Sequence, residues 1–254
     1  KNGKIQTMSE DKKDYSTRVL PKHYMTPSRF MDMMQEQVAV KDPANIGGTV
    51  GHMLKQNPQP EYIPNEYPET LHTYDLAKIR ARQKALLVDA TVDGFIAEYG
   101  VHCGIGFIPL CKLTKQKVFG FDAFEGLEDG GKWTGNIGHQ DMFQHGGEIP
   151  FTVPGNGVIT KGWFNKTLPE FDYGHNQAKF VNIDCDNYKA TVTVLENIQK
   201  HIWTGTVIAL DDYFNEYKYQ GETQFTAWQE FVKANNIKYE YLYCMAPAVI
   251  VKIL

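Results

Sequence analysis

Short apolar runs alternate with amphipathic stretches over most of the chain, from Gly94 onward. Five runs are rich in β-branched and aromatic residues and stop at polar or turn residues, which is typical of buried parallel strands. They lie at 94–99, 117–122, 157–161, 178–184 and 205–210. Apolar residues at helical spacing predict three helices between or after them. These helices lie at 104–114, 188–202 and 222–235. The alternation predicts an α/β sheet.

The carboxyl-terminal residues add a second pattern. Two strand-like runs, 239–243 and 249–253, are separated by a short turn at Ala246-Pro247. Strands joined by so short a connection must be antiparallel. We therefore expect a mostly parallel sheet that ends in an antiparallel hairpin.

The first 80 residues are polar and rich in loops. Thr26-Pro27-Ser28 is a helix start, with an N-cap threonine and a proline in the first turn. A second helix is predicted at 74–92. We therefore divide the chain into a helical and loop-rich amino-terminal cap or lid, 1–80, and an α/β domain, 81–254. A chain of 254 residues is long enough for one large domain with such an appendage.

The composition excludes several classes of partner. The chain has 26 basic and 30 acidic residues, which gives a net charge of −4. Without a basic excess, we expect neither nucleic acid nor an anionic membrane as a partner. No apolar run reaches the ~18 residues of a membrane span. The polar first residues contain no signal-peptide core, and the four cysteines form no C-x-x-C pair. We therefore expect a cytoplasmic protein with reduced thiols.

Acidic residues follow two of the predicted strands. Asp184 and Asp186 end one apolar run, and Asp211 and Asp212 end the next. The carboxyl ends of parallel strands form the edge at which open α/β sheets bind ligands. Four carboxylates at one edge would repel each other unless protons or a cation neutralised them. A bound divalent metal is the simplest explanation, and it indicates a metal-dependent enzyme.

The turn after the first strand is a candidate nucleoside site. Residues Glu98 to Gly104 have the spacing E-x-G-x-x-x-G, not the G-x-G-x-x-G of dinucleotide sites. Gly100 permits a tight turn, and Gly104 permits a ligand to approach the backbone closely. This spacing requires no phosphate cradle, so a nucleoside with an uncharged linker fits it better. A plain strand-to-helix turn is the alternative.

Two further strand ends carry candidate nucleoside contacts. Asp122 can accept hydrogen bonds from both ribose hydroxyls, or it can cap a following helix. The glycine turn one strand earlier favours ribose binding. Gly162 and Trp163 can flank an adenine ring, or the aromatic residue can belong to the core, and the sequence does not separate these two possibilities.

These motifs occur together in the order of a known family. The segments concerned are Glu98–Val101, Gly120–Leu127, Lys161–Pro169, Ile183–Tyr188 and Asp211–Tyr213. They resemble the class I S-adenosylmethionine-dependent methyltransferases, in particular the macrocin O-methyltransferase (TylF/NovP-like) family. The resemblance implies a Rossmann-like, doubly wound, mostly parallel seven-stranded sheet, with 81–254 as the S-adenosylmethionine-binding methyltransferase domain. It also implies Mg²⁺-assisted methylation of a small-molecule hydroxyl, typically on a sugar of a natural product.

The resemblance also implies roles for individual residues. Asp184, Asp211 and Asp212 look like the metal ligands, and Asp186 looks like the general base. The residues implied in binding S-adenosylmethionine are Met25, Glu98, Gly100, Val101, Gly104, Asp122, Gly162, Trp163 and Asp184.

Some positions depart from the family pattern. His102 to Ile105 stand where the family has Arg-Gly-Gly-Ser, and Asn187 to Thr191 stand where it has Leu-Tyr-Glu-Ser-Thr. These changes flank the predicted cofactor and acceptor sites, so the acceptor is defined only as a small-molecule hydroxyl compound. His139, in a long glycine-rich loop predicted at 126–156, is a further candidate for acceptor contact. The sequence neither requires nor excludes a homo-oligomer.

Two alternatives come from other functional classes. A non-catalytic nucleoside-binding protein could keep this fold, but the intact set of four aspartates argues against a decayed site. A nicotinamide-dependent oxidoreductase is disfavoured by the missing G-x-G-x-x-G spacing and by the antiparallel end of the sheet.

Overall fold

The computed structural model describes residues 73–128, 143–213, 223–245 and 248–254. Within these ranges the chain forms seven strands and five α-helices. The strands are β1 (Phe95–Tyr99), β2 (Val118–Asp122), β3 (Gly157–Lys161), β4 (Ala178–Ile183), β5 (Val207–Leu210), β6 (Tyr239–Met245) and β7 (Ala248–Ile253). The helices are α1 (Thr73–Lys84), α2 (Phe107–Lys112), α3 (Phe164–Thr167), α4 (Tyr188–Ile198) and α5 (Gln224–Ala234).

All seven strands join one sheet in the order β3-β2-β1-β4-β5-β7-β6. The pairs from β3 to β5 are parallel, whereas β7 runs antiparallel to both β5 and β6. The predicted Rossmann-like sheet with an antiparallel end is therefore confirmed. The chain winds outward from β1 to β3 and then returns to β4 on the other side of β1. This reversal creates the crevice at which such sheets bind ligands.

The helices differ from the predicted ones mainly at their ends. The helix predicted at 74–92 is α1 followed by a π-helical turn, Ala85–Asp89. The helix predicted at 104–114 begins only at Phe107. The reason is that Gly104 has a left-handed φ of +81°, which a helix cannot contain.

Helices cover both faces of the sheet, so its central strands are buried on both sides. One face packs against α4 and α5, and the other packs against α1 and α2. Side chains cap the amino-terminal ends of α4 and α5. Asn187 accepts a hydrogen bond from the Ala190 N–H at 2.8 Å, and Thr223 accepts one from the Thr226 N–H at 3.1 Å. This packing holds the strand ends in fixed positions.

Several predictions concern parts of the chain outside the described residues. Met25, the helix start at 26–28 and His139 lie there, so their roles stay predictions. Of the predicted cap, 1–80, only the first part of α1 is described, and α1 runs across residue 80 without interruption. The domain division therefore also stays a prediction. Among the described helices, none has both the length and the apolarity needed to cross a membrane.

Candidate active site

The strand register brings four predicted site positions to one edge of the sheet. Tyr99 of β1 pairs with Phe121 of β2 and with Ile183 of β4, and Ile183 pairs with Leu210 of β5. The residues that follow these four positions therefore leave the sheet side by side. They are Gly100, Asp122, Asp184 and Asp211.

The glycine turn after β1 packs against the backbone of the neighbouring strand. Gly100 has a φ of +90°, and a Cβ atom there would lie 1.7 Å from the carbonyl oxygen of Asp184. Only glycine fits this position. Its N–H donates to the carbonyl of Phe121 at 2.9 Å, so the turn connects the ends of β1, β2 and β4. Gly104 closes the turn by donating its N–H to the carbonyl of Val101 at 2.9 Å.

The carboxylate of Asp122 organises two loops. One oxygen accepts the N–H groups of Val101 and His102, at 2.8 and 2.7 Å, and the other accepts the N–H of Phe124 at 2.7 Å. Asp122 therefore does not cap a helix, which was the alternative drawn from the sequence. A carboxylate has about four lone-pair sites, and three are used here, so one further hydrogen bond, such as that of a ribose hydroxyl, can be accepted. The ribose role stays a prediction.

Gly162 and Trp163 follow β3 beside Asp122. Gly162 has a φ of +134°, and its N–H donates to the Asp122 carbonyl at 2.9 Å. Trp163 is half-buried and immediately precedes α3. The adjacent Phe164 packs against the core instead. A partly exposed Trp163 is compatible with contact to an adenine ring, and that contact stays a prediction.

The described end of the glycine-rich loop folds back onto the turn after β1. The N–H of His145 donates to the Phe124 carbonyl at 2.9 Å. Its ring Nε2 lies 2.8 Å from Nδ1 of His102, one of the residues that depart from the family pattern. An isolated bridge between Glu125 and Gln144 closes the loop at its base. Sequence reasoning missed this contact because no local pattern links residues so far apart.

Glu98 lies beneath α1, inside the protein. Its carboxyl accepts a hydrogen bond from the Asn182 side chain at 2.7 Å and lies 3.9 Å from the Arg82 guanidinium. Burial raises the pKa of Glu98 to about 8, although the charge of Arg82 lowers it; Asp184 adds to the increase. Glu98 is therefore largely protonated at neutral pH. Its predicted role in cofactor binding stays untested, and its observed contacts are with protein groups.

The raised pKa of Glu98 predicts a loss of stability as pH rises. A folded pKa of about 8 exceeds the ~4.3 of an unfolded glutamate. The stabilising contribution is thus complete below the unfolded pKa and is lost as pH rises toward and through 8. Between pH 6 and pH 8, we expect the wild type to lose about 2 kcal/mol more unfolding free energy than Glu98→Gln. Urea unfolding at both pH values measures this difference.

An exposed glutamate provides the control for this measurement. Glu196 lies on the surface of α4, and Glu196→Gln should follow the wild-type pH dependence. Equal pH dependence in the wild type and Glu98→Gln would contradict the assignment of a raised pKa to Glu98.

Three of the four predicted acidic residues form a compact cluster. Asp184, Asp211 and Asp212 each offer a carboxylate oxygen, and these oxygens all lie within 4.8 Å of one another. Asp211 and Asp212 are buried, whereas the side chain of Asp184 is 31% exposed. An all-oxygen set of this kind suits a hard divalent cation such as Mg²⁺. The donor set therefore fits the predicted metal.

Two basic residues of α1 lie against this cluster. Nζ of Lys78 is 2.5 Å from one oxygen of Asp211, and the Arg82 guanidinium donates to the other. The same guanidinium lies 3.5 Å from Asp184. The sequence analysis missed both residues, because they precede Asp211 by 133 and 129 positions. Their spacing of four residues on one helix is the sequence feature that indicates a shared role, because it places both charges on the same face.

The pKa values of the three carboxylates are shifted in different directions. Burial raises the pKa of Asp212 well above its usual range, and repulsion from Asp186 and Asp211 adds to this. Burial and the charge of Asp211 likewise raise the pKa of Asp184. Burial alone would also raise the pKa of Asp211, but Lys78 and Arg82 outweigh it and hold that pKa below its usual value. The cations of α1 thus neutralise Asp211 more fully than they neutralise Asp184 and Asp212.

Asp186 is held beside the cluster by its backbone. Its φ of +63° lies in the left-handed region, which costs less for aspartate than for most residues. In this conformation its N–H donates to a carboxylate oxygen of Asp212 at 3.0 Å. Asp186 is half-buried. The base predicted from the sequence therefore lies next to the predicted metal ligands.

Comparison with known families agrees with this arrangement. Residues 97–213 match the family model of a methyltransferase domain. The matched segment contains the glycine turn, Asp122 and all three clustered carboxylates. This match supports the methyltransferase part of the predicted resemblance. A comparison with curated proteins found no match.

Solved structures of two O-methyltransferases have the same fold. The O-methyltransferase NovP is 19% identical, with a TM-score of 0.52, over 89% of this chain and 99% of NovP. CalS11, a TDP-rhamnose 3′-O-methyltransferase in calicheamicin biosynthesis, is 20% identical in its apo form. Its TM-score is 0.52, over 81% of this chain and 91% of CalS11. At these identities the likeness establishes a shared fold.

Proposed function

We propose that this protein is an S-adenosylmethionine-dependent, Mg²⁺-assisted O-methyltransferase of the macrocin O-methyltransferase type. Its acceptor is a hydroxyl of a small molecule, a sugar or a glycosylated natural product. One observation carries the proposal. The carboxylate-anchored glycine turn and the cluster of Asp184, Asp211 and Asp212 share one edge of the sheet. A nucleoside cofactor and a cation-bound acceptor would therefore be neighbours.

The residues around the turn after β1 suit the cofactor. S-adenosylmethionine would supply an electrophilic methyl group. Asp122 has remaining acceptor capacity for the ribose, and half-buried Trp163 offers an aromatic face for the adenine. The turn from Gly100 to Gly104 is fixed by hydrogen bonds at both ends. Because it is already ordered, binding would require little reorganisation.

The acidic cluster suits the cation and the acceptor. Mg²⁺ held by Asp184, Asp211 and Asp212 would lower the pKa of an acceptor hydroxyl. Asp186 would accept the hydroxyl proton as a general base. The backbone N–H of Asp186 donates to Asp212, which places the proposed base beside a proposed ligand. Such positioning accounts for much of the rate in transfer reactions.

We expect the acceptor hydroxyl to belong to a sugar. Support comes from CalS11, which shares the fold and acts on TDP-rhamnose. Loop residues that depart from the family pattern, such as His102, lie at the predicted site, so the particular acceptor is expected to differ. A screen of hydroxylated glycosides and phenols with radiolabelled S-adenosylmethionine would identify it.

Calorimetry distinguishes the proposed function from its alternatives. We expect the protein to bind S-adenosylhomocysteine and to show no binding of NAD in a parallel titration. Binding of NAD alone would favour an oxidoreductase and overturn the proposal. Binding of S-adenosylhomocysteine without transfer to any acceptor of the screen would favour a non-catalytic nucleoside-binding protein.

Replacement of Asp122 should weaken cofactor binding. Asp122→Ala removes a charged acceptor, so we expect the affinity for S-adenosylhomocysteine to fall by about 1.5–3 kcal/mol. The variant also leaves three backbone N–H groups without their acceptor, which should lower the unfolding free energy by ~1–3 kcal/mol. Calorimetric titration of the folded variant measures the first effect, and thermal unfolding measures the second.

The matched control is Asp172→Ala. Asp172 is an exposed aspartate that accepts the N–H of Gly174 at 2.8 Å, so it stabilises a turn far from the predicted site. This variant should bind S-adenosylhomocysteine like the wild type. If folded Asp122→Ala also kept wild-type affinity, Asp122 would serve only to stabilise its loops.

A further inference from the structure

Both carboxylate oxygens of Asp211 are in contact with side chains of α1. Lys78 lies 2.5 Å from one oxygen, and Arg82 donates to the other. Asp211 also belongs to the cluster whose oxygens converge within 4.8 Å. A divalent ion that used Asp211 as a ligand would therefore sit against a lysine or an arginine charge. At such short range, repulsion between like charges is strong in a buried site.

Of the two basic residues, Arg82 is held more firmly. Its guanidinium lies between Asp211, Asp184 and Glu98, and its side chain is only 5% exposed. It is also enclosed on the side of α2, because a Cβ atom at Gly106 would lie 2.9 Å from its Nη1. A planar guanidinium in contact with several carboxylates cannot leave without breaking all of these contacts.

Lys78 is the less enclosed of the two. Its side chain is 13% exposed, compared with 5% for Arg82. An ammonium group on a flexible four-carbon chain can swing into water and be well hydrated there. Lys78 can therefore leave Asp211 while Arg82 remains in place.

Displacing one of the two basic residues would relieve this repulsion. An added ion would bring three cations to Asp211, whereas an ion in the place of Lys78 would leave two.

We propose that Lys78 is an internal competitor of the divalent ion. In the metal-free protein it occupies Asp211, and it is displaced when the ion binds, while Arg82 stays and holds Asp184 and Asp211 together. This inference rests on the Mg²⁺ site of the proposed function. It implies that the chain limits its own affinity for the metal through a residue of α1.

Titration of MgCl₂ by calorimetry tests the inference without any assay of activity. Lys78→Met removes the charge and keeps most of the side-chain length, so we expect Mg²⁺ to bind about tenfold more tightly or better. Lys78→Arg keeps the charge and should bind Mg²⁺ no more tightly than the wild type. Lys84→Met is the matched control, because Lys84 lies on the same helix but over the Tyr243 ring, 5.2 Å from its centre.

A second readout is the thermal stability of each variant with and without MgCl₂. The rise in melting temperature at saturating Mg²⁺ should be larger for Lys78→Met than for the wild type or Lys84→Met. If Lys78→Met did not fold, Lys78→Gln would replace it, since the amide can still donate to Asp211 without a charge.

The outcomes separate this inference from the proposed function. Equal Mg²⁺ affinity in the wild type and a folded, uncharged variant would overturn the competition while leaving the metal site intact. Tighter binding by Lys78→Arg would overturn it as well, because the charge would then not be the cause. Absence of Mg²⁺ binding in every variant would overturn the metal site itself, and the inference with it.

Discussion

Excess chelator should abolish methyl transfer by this protein, and added Mg²⁺ should restore it. Among the described residues, Lys78 and Arg82 are the basic contacts of the acidic cluster, and both lie closest to Asp211. Asp184 and Asp212 are therefore less well neutralised. Burial and mutual repulsion raise the pKa of both residues, a condition that a divalent cation would reverse. We expect the rate with EDTA to fall by at least ~100-fold. The measurement is transfer of labelled methyl to the acceptor found in the glycoside screen.

Asp211→Asn tests the same site by substitution. It should weaken Mg²⁺ binding and turnover together and leave the affinity for S-adenosylhomocysteine nearly unchanged. It also removes the partner of two basic residues, so the unfolding free energy should fall by about 3 kcal/mol. Mg²⁺ and cofactor affinities are measured by calorimetry, and stability by urea unfolding. Asp172→Asn, an exposed acid elsewhere, is the control.

Chelation is the cleaner of these two experiments because it changes no residue. Full activity in excess EDTA would remove the metal from the proposed function and leave proton transfer by Asp186 alone. Loss of activity that Mg²⁺ did not restore would point to unfolding of the apoprotein instead. Circular dichroism with and without EDTA distinguishes that case.

The sheet and the position of its site were predictable because they depend on local patterns. The period of apolar residues identifies strands such as 178–184, and parallel strands necessarily carry their carboxyl ends to one edge. Asp184 and Asp211 directly follow their strands, so their convergence needed only the strand order. The strand-end position of Asp122 followed from the same reasoning.

Contacts between distant segments could not be predicted in this way. The docking of α1 decides that Lys78 and Arg82 meet Asp211, and nothing near Asp211 in the sequence indicates it. Glu98 is buried in the same way, and this burial raises its pKa, whereas its place in the motif suggested a ligand contact. Asp122 similarly binds three backbone N–H groups whose approach depends on loop conformation. Tertiary packing, not local propensity, sets these interactions.

Asp186→Asn should lower turnover by about 10²–10⁴ with little change in cofactor or Mg²⁺ affinity. The substitution suits this position because asparagine, like aspartate, tolerates the left-handed φ of +63° found here. The backbone N–H that donates to Asp212 is kept, so the geometry of the cluster should survive. What is lost is the basicity of the side chain. Single-turnover transfer measures the chemical step, and calorimetry measures the two affinities.

Asp93→Asn serves as the control for this variant, because Asp93 is exposed and lies before β1, at the opposite end of that strand. It should transfer methyl at the wild-type rate. If Asp186→Asn also kept that rate, proton removal would belong to another group, and His139 would be the next residue to replace. If its turnover and Mg²⁺ affinity fell in parallel, Asp186 would act by supporting the cation site. Only a fall in turnover at constant affinities assigns the proton transfer to its carboxylate.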